Sequence, residues 1–209
     1  MNIYLRVTLM ASVLCLAGLL SHFIRLIRLG LPVNFSTPAG NAGKAVIYSF
    51  TGAMSPQKKE SAYLHLPTYT AGIIYHIGTF LSLSYIPFFI WGVIQPRELS
   101  LCFAGVLLLS IACGLGIVAK RVLKKELRLL SSPDDYISNL LVTLFQFATA
   151  VMLIREHIHP FYYIALSLLL LYIPLGKLKH LLYFFAARVH LGYFYGHRGV
   201  WPPVNDRKG

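Results

Sequence analysis

Five apolar runs, each close to the length that crosses a lipid bilayer, limit what this chain can fold into. A bilayer core is about 30 Å thick, which about 20 residues of α-helix span. Inside it, only a helix or a closed barrel satisfies every backbone hydrogen bond. The runs therefore predict an all-α integral membrane bundle of five helices, at about 5–24, 71–94, 100–119, 136–154 and 161–180.

The composition agrees with lipid as the main solvent. Of the 209 residues, 56% are hydrophobic and only 12% are charged, whereas a soluble domain carries about a quarter of charged residues. The length suits one membrane domain over 1–209, with no separate soluble domain.

Two segments outside the apolar runs are long enough to have structure of their own. Residues 29–64 are interrupted by proline and glycine, which predicts an ordered loop rather than a helix. Residues 181–209 are predicted to begin as a helix and to end, from Trp201, as an extended tail. Because this tail is aromatic and basic, it is either a docking surface for a soluble partner or an interfacial helix resting on lipid headgroups.

The basic residues predict the orientation of the chain. The net charge is +12, and most of the cations flank apolar runs, so we interpret them as topology signals rather than as a nucleic-acid surface. With the N-terminus outside, the inner face carries sixteen of the nineteen Lys and Arg residues. The other three, Arg6, Arg97 and Arg155, lie outside. This asymmetry predicts an outer N-terminus and a cytoplasmic C-terminus, with loop 29–64 and tail 181–209 also cytoplasmic.

The apolar runs contain no acidic residue, since all seven Asp and Glu residues fall at or beyond their ends. A proton- or ion-coupled transporter usually keeps an ionisable carboxylate at mid-membrane, so a channel or carrier is disfavoured. The chain also lacks a CxxC pair, a HExxH zinc motif and a glycine-rich phosphate loop. We therefore predict no catalytic residue in the chain itself.

Ser132-Pro133-Asp134-Asp135 predicts the start of the fourth helix. It combines an N-cap serine, a proline at the first helical position and an aspartate whose carboxylate can reach back, as in a capping box. Both aspartates are therefore interpreted as structural.

Two of the eight histidines form a pair suited to ligating haem iron. Neutral imidazole is the common axial ligand of haem, and a b-type haem between two helices needs one histidine from each at the same depth. His76 in the second run and His180 near the inner end of the fifth meet this condition. Small neighbours of His76 would admit a flat macrocycle, and cations near His180 would pair with haem propionates. The small neighbours of His76 are Gly72 and Gly78, and the cations near His180 are Lys177 and Lys179.

The other histidines suit an iron site less well. His65 and His190 have the spacing for a second pair, but ten residues after His180 leave His190 about 80° off the same helix face. A second haem there is the weaker alternative. His22 either lines a quinone pocket or hydrogen-bonds a neighbour. His157 and His159 fall in a short outer loop, where solvated side chains are expected.

Three motifs, in order along the chain, resemble a known family. They are Tyr75-His76-Ile77-Gly78, the run from Asp134-Asp135 to Phe145-Gln146, and Pro174-Leu-Gly-Lys-Leu-Lys-His180. They are similar to the ligand and helix-four regions of the membrane cytochrome b (gamma) subunit of respiratory nitrate reductase. Relatives of that subunit occur in sulfur-metabolising and heterodisulfide-reductase-like complexes.

The resemblance implies a multi-pass protein of the prokaryotic cytoplasmic membrane with haem b held by His76 and His180. It also implies quinone, for which we expect menaquinone, and a cytoplasmic iron–sulfur subunit as electron partner. One departure matters, because the positions of the family's outer haem ligands are Ile86 and Tyr162 here. We therefore expect one haem b near the inner surface.

The resulting hypothesis is a haem b subunit that passes electrons between the quinone pool and a cytoplasmic iron–sulfur partner. It would be the quinone-reactive electron-transfer subunit of a respiratory oxidoreductase complex. The alternative is a non-redox membrane anchor or assembly subunit without haem, whose histidines only satisfy hydrogen bonds.

Overall fold

The computed structural model describes residues 3–31, 33–58, 64–93, 95–155 and 159–203, apart from the side chains of Gln57 and His159. His157 lies outside the described residues. Within the described ranges the chain is helical and contains no strand. The eight α-helices there are α1 (Ile3–Leu29), α2 (Ala42–Phe50), α3 (Leu66–Ile90), α4 (Arg97–Leu123), α5 (Lys125–Leu130), α6 (Pro133–Ile154), α7 (His159–Tyr172) and α8 (His180–His197).

Four of these helices, α1, α3, α4 and α6, are long and apolar enough to cross a membrane. A fifth candidate exists if α7 and the helical segment after it, Lys177–His197, count as one broken span. The exposed faces are apolar, as in α1, where Met10, Val13 and Leu16 are 66–68% exposed. Such surfaces are typical of contact with lipid. An all-helical protein with four to five candidate membrane spans is thus confirmed.

The predicted continuous fifth helix over 161–180 is wrong. Helix α7 ends at Tyr172, a short 3₁₀ turn follows at Lys177–Lys179, and α8 begins at His180. Pro174 causes the break, because proline lacks an N–H and disfavours the helical conformation of the residue before it. His180 is therefore the first residue of a new helix rather than part of the fifth apolar helix.

The prediction of a loop without a helix over 29–64 is also wrong. Proline and glycine lie on both sides of α2 rather than within its core, and two 3₁₀ turns follow it at Gly52–Met54 and Pro56–Lys58. Asn41 caps α2, since its Oδ1 accepts a hydrogen bond from the Lys44 N–H at 2.9 Å. The nine residues of Ala42–Phe50 form the helix, with Gly43 and Lys44 in its first turn.

The helical start of the tail is confirmed by α8. At Trp201 the chain turns back instead of extending, and the remainder of the predicted extended tail, 204–209, lies outside the described residues. The backbone N–H groups of Val200 and Trp201 both donate to the Tyr195 carbonyl, at 2.9 and 3.3 Å. The Trp201 ring lies 4.8 Å from the Tyr195 ring and 5.6 Å from the Tyr48 ring, centroid to centroid. The chain therefore folds back onto α8 and α2.

The chain divides into two compact units. The first consists of Met1–Gly18 and Pro67–Leu178, and the second of Leu19–Leu66 and Lys179–Gly209. The single domain predicted over 1–209 stays a prediction.

Helix α6 is the most buried of the four membrane-length helices and lies at the centre of the first unit. It packs against α4 and α7, and its Phe145 contacts the buried ring of Tyr162 at 5.8 Å between centroids. Near the start of α1, the hydroxyl of Thr8 donates to the Tyr163 carbonyl at 3.2 Å and lies 2.9 Å from the hydroxyl of Ser167. Apolar packing and buried hydrogen bonds thus join α1, α6 and α7.

The second unit is held together by close contact between α2 and α8. Small residues four apart on each helix, Gly192 and Gly196 on α8 and Ala45 and Ser49 on α2, allow this approach. A Cβ atom on Gly192 would lie 2.8 Å from the backbone nitrogen of Val46, and backbone cannot move aside as the end of a flexible side chain can. The Ser49 hydroxyl donates to the Arg188 carbonyl at 2.8 Å.

We predict that Gly192→Ala destabilises the second unit by about 1–3 kcal/mol, the usual cost of overpacking a tight contact. Thermal unfolding of the purified protein in detergent, followed by circular dichroism, measures this. Gly116→Ala is the matched control, because a Cβ there meets nothing within 4 Å and alanine favours the helix. Equal unfolding temperatures for the two variants would contradict the packing described for α2 and α8.

Candidate functional site

His76 presents an exposed imidazole in the middle of the apolar helix α3. Its Nδ1 lies 2.7 Å from the carbonyl oxygen of Gly72, one turn earlier. A carbonyl can only accept, so this hydrogen bond requires the proton on Nδ1. In the neutral ring the lone pair is then on Nε2, which is the arrangement that a metal-ligating histidine needs.

The two glycines near His76 have different surroundings. A Cβ on Gly72 would meet nothing within 4 Å, so the surface one turn before His76 is open. A Cβ on Gly78 would collide with the Ser110 side chain and lie 3.3 Å from Gln146 Oε1. Two residues turn a helix by about 200°, and so Gly78 faces the core of the first unit, away from His76. The role of Gly72 beside a macrocycle stays a prediction, while Gly78 serves helix packing.

A polar cluster that sequence reasoning missed holds α3 in place beside His76. The Tyr75 hydroxyl donates to the Asn139 carbonyl at 2.8 Å and lies 2.8 Å from the Thr143 hydroxyl. The Gln146 amide nitrogen donates to the Tyr75 carbonyl at 3.2 Å and to the Thr79 hydroxyl at 2.9 Å. Thr143 and Gln146 lie three residues apart in α6. Polar residues at that spacing share one helix face, and this pattern was the sequence feature that could have predicted the cluster.

The cations predicted for haem propionates lie beside the break after α7. The Lys177 ammonium pairs with the Asp135 carboxylate at 2.7 Å, and Arg121 approaches the same carboxylate at 3.6 Å. Lys179 precedes α8 as its N-cap residue, and His180 is exposed at the first position of α8. The structure therefore gives Lys177 a carboxylate partner, and its role at a haem stays a prediction.

The structural roles predicted for Asp134 and Asp135 are confirmed. The backbone N–H and the hydroxyl of Ser132 donate to Asp135 Oδ2 at 2.9 and 3.0 Å, as in a capping box. Asp134 accepts hydrogen bonds from Ser138 and from the hydroxyl of Tyr172, the last residue of α7. Asp134 and Asp135 thus hold Tyr172 and Lys177, on either side of the break.

The second unit contains an apolar cleft between the C-terminal part of α1 and α8. It is partly open, has a volume of about 360 Å³ and is lined by residues within 23–31 and 182–190. His190 is its one ionisable lining residue among the described ones. At one end of the cleft, where both lining segments begin, His22 Nδ1 lies 3.1 Å from the Tyr183 hydroxyl, and the two rings meet edge to face at 5.8 Å.

The three histidines that suit an iron site less well, His22, His65 and His190, have different surroundings. His22 makes the hydrogen bond that was one of its two predicted roles. His190 lines the cleft, and His65 is exposed in the turn before α3. His76 belongs to the first unit and His180 to the second, so their pairing stays a prediction, as does a second site at His65 and His190.

The two positions that correspond to the outer haem ligands of the resembled family contribute to the core of the first unit. Tyr162 is fully buried, with the ring of Phe89 at 4.9 Å between centroids, and Ile86 packs against the same cluster. Both side chains are thus used in packing.

Among the described residues, no three or more His, Cys, Asp or Glu side chains group as metal ligands. Haem requires only two protein ligands to its iron, so this result leaves the haem hypothesis untouched. No family model matches the chain, and no curated protein or solved structure is significantly similar to it. The family resemblance stays a prediction.

We predict that the imidazole of His76 carries a proton on Nδ1 in the protein without added haem. The hydrogen bond to the Gly72 carbonyl selects this form. Nitrogen-15 chemical shifts of histidine-labelled protein distinguish the two tautomers, and the signal lost in His76→Gln assigns the residue. A signal from the Nε2-protonated form would contradict the hydrogen bond.

Proposed function

We propose that this protein is a membrane haem b subunit that carries electrons between the quinone pool and a cytoplasmic iron–sulfur partner. The supporting observation is His76, whose exposed imidazole lies mid-helix in a candidate membrane span with Nδ1 engaged by the Gly72 carbonyl. Ionisable residues within membrane spans are functional by default.

The environment of His76 fits an axial haem ligand in two respects. The hydrogen bond to Gly72 orients the ring and directs the Nε2 lone pair outward, which is how protein surroundings prepare a histidine for a metal. The absence of a side chain at Gly72 leaves the adjacent surface open to a flat ring. When bound, haem b would supply one-electron redox chemistry.

His180 is the proposed second ligand, and Lys177 and Lys179 are the proposed cations for the propionates. These assignments rest on the sequence, in which both cations lie within a turn of His180. His180 is exposed at the first position of α8.

The inner side of the membrane is the proposed side for the iron–sulfur partner. Nearly all basic residues fall on one side of the five spans, which by the positive-inside rule is cytoplasmic. The described part of the second unit has seven Lys and Arg residues and no Asp or Glu. A basic surface of this kind favours an acidic partner surface through electrostatic complementarity.

A non-redox membrane anchor is the second candidate. It is favoured by the ion pair between Lys177 and Asp135, which shows that one proposed propionate cation already has a structural partner.

Absorption spectra of the purified protein, oxidised and then reduced with dithionite, test the haem proposal. We expect a b-type spectrum with about one haem per chain, because one pair of ligands is proposed. His76→Ala and His180→Ala should each abolish it, since each removes an iron ligand.

His65→Ala is the matched control, because it removes an exposed imidazole that lies in a turn. It should keep the full spectrum. Absence of any b-type signal in the unmodified protein, expressed with haem supplied, would support the anchor instead. Haem that persists in both ligand variants would show that other histidines bind it, with His65 and His190 next to be examined.

Reporter fusions test the proposed orientation. A green fluorescent protein fused to the C-terminus should fluoresce, because that reporter folds in the cytoplasm, and alkaline phosphatase fused there should be inactive. Fusions between α6 and α7 should give the opposite pattern. Active phosphatase at the C-terminus would contradict the orientation.

A further inference from the structure

We propose that the cleft between α1 and α8 binds the ring of a lipid-soluble quinone, with His190 hydrogen-bonded to a quinone oxygen. The choice of a quinone rests on the proposed function, whereas the location and the residue follow from the cleft itself. His22, the quinone-site candidate from the sequence, does not line the cleft. It lies at one end of it and hydrogen-bonds the Tyr183 hydroxyl.

The size and shape of the cleft suit a small amphiphile. Its volume of about 360 Å³ falls in the range of about 300–1,000 Å³ that is typical of small-molecule sites. Both lining segments begin next to the hydrogen-bonded pair of His22 and Tyr183 and continue for about eight residues, which corresponds to about 12 Å of helix. The cleft is partly open, so a ligand dissolved in lipid can enter from the side.

The lining of the cleft favours an aromatic ring with few polar atoms. Phe23 contributes an aromatic side chain from α1 and Phe185 one from α8, and such side chains pack well against a flat ring. His190 supplies a nitrogen that can donate a hydrogen bond to a carbonyl oxygen or accept one from a hydroxyl. A quinone and its reduced form present these two groups in turn.

The positions of the cations argue against an anionic phospholipid as the occupant. Phe23, Leu26, Ile27 and Gly30 line the cleft with the spacing of one helix face, which places Arg25 and Arg28 on the other faces of α1. On α8, the Arg188 guanidinium lies over the Phe184 ring at 5.4 Å, and neither residue lines the cleft. No Lys or Arg is among the described lining residues, so a neutral headgroup fits better than a phosphate.

Photolabelling of the full-length protein in detergent tests this site. The probe is an azido-naphthoquinone, used with a short-chain menaquinone as competitor and with mass spectrometry to locate the label. We expect labelled peptides within 23–31 or 182–190 and loss of the label with competitor. Labelling elsewhere, or competition by phosphatidylglycerol micelles as strong as by menaquinone, would overturn the proposal.

Two variants test the lining. Ala186→Phe fills the cleft and should abolish specific labelling. If that variant unfolds, Val189→Trp is used instead, with the same expected result. His190→Leu should weaken binding about three- to tenfold, as expected for loss of one neutral hydrogen bond. His197→Leu makes the same substitution on the same helix but outside the cleft, so it should leave binding unchanged.

The results also separate this inference from the haem proposal, because photolabelling does not require haem. Protein that is labelled in the cleft but shows no b-type spectrum would support the quinone site and contradict the haem proposal. Protein with haem but without specific labelling would contradict the quinone site alone. An unchanged affinity in His190→Leu would remove His190 from the site.

Discussion

A polar group within a membrane span must find its hydrogen-bond partner inside the protein, because lipid offers none. Most polar side chains of the first unit around α6 meet this requirement, whereas Gln146 Oε1 and the Tyr162 hydroxyl are buried without a hydrogen-bond partner. Tyr75, Thr79, Thr143 and Gln146 hydrogen-bond to one another or to nearby backbone groups, and Thr8 reaches the Tyr163 carbonyl and the Ser167 hydroxyl. These bonds connect α3 to α6 and α1 to α7.

The same requirement bears on the roles proposed for His76 and His190, because an imidazole also needs hydrogen-bond partners or ligands that lipid does not offer. Nδ1 of His76 has a backbone partner and the His76 side chain is exposed, whereas the neighbouring Tyr75 is buried in the polar cluster. His190 is the one ionisable residue among the described lining of an apolar cleft. The proposed ligands are haem iron for the first imidazole and a quinone oxygen for the second.

Charged residues of the first unit stabilise the ends of helices rather than their centres. Asp135 caps the start of α6 and binds Lys177, and Asp134 accepts a hydrogen bond from the Tyr172 hydroxyl. This arrangement holds the chain around Pro174, where the backbone cannot continue as a helix. The capping box was readable in the sequence because its residues are three positions apart. The contacts with Tyr172 and Lys177 were not, because they join residues about forty positions apart.

The sequence by itself determined the helical class and the membrane-length helices, because hydrophobicity over about 20 residues and the needs of the backbone in lipid are local properties. It also indicated His76, since an imidazole within an apolar run is unusual. Only the tertiary structure decided that α2 forms between its breakers and packs on Gly192 and Gly196. The same holds for Gly78, which faces Ser110 instead of a macrocycle, and for His190, which lines a cleft with α1. These features depend on which helix faces meet, and a hydrophobic run does not specify its neighbours.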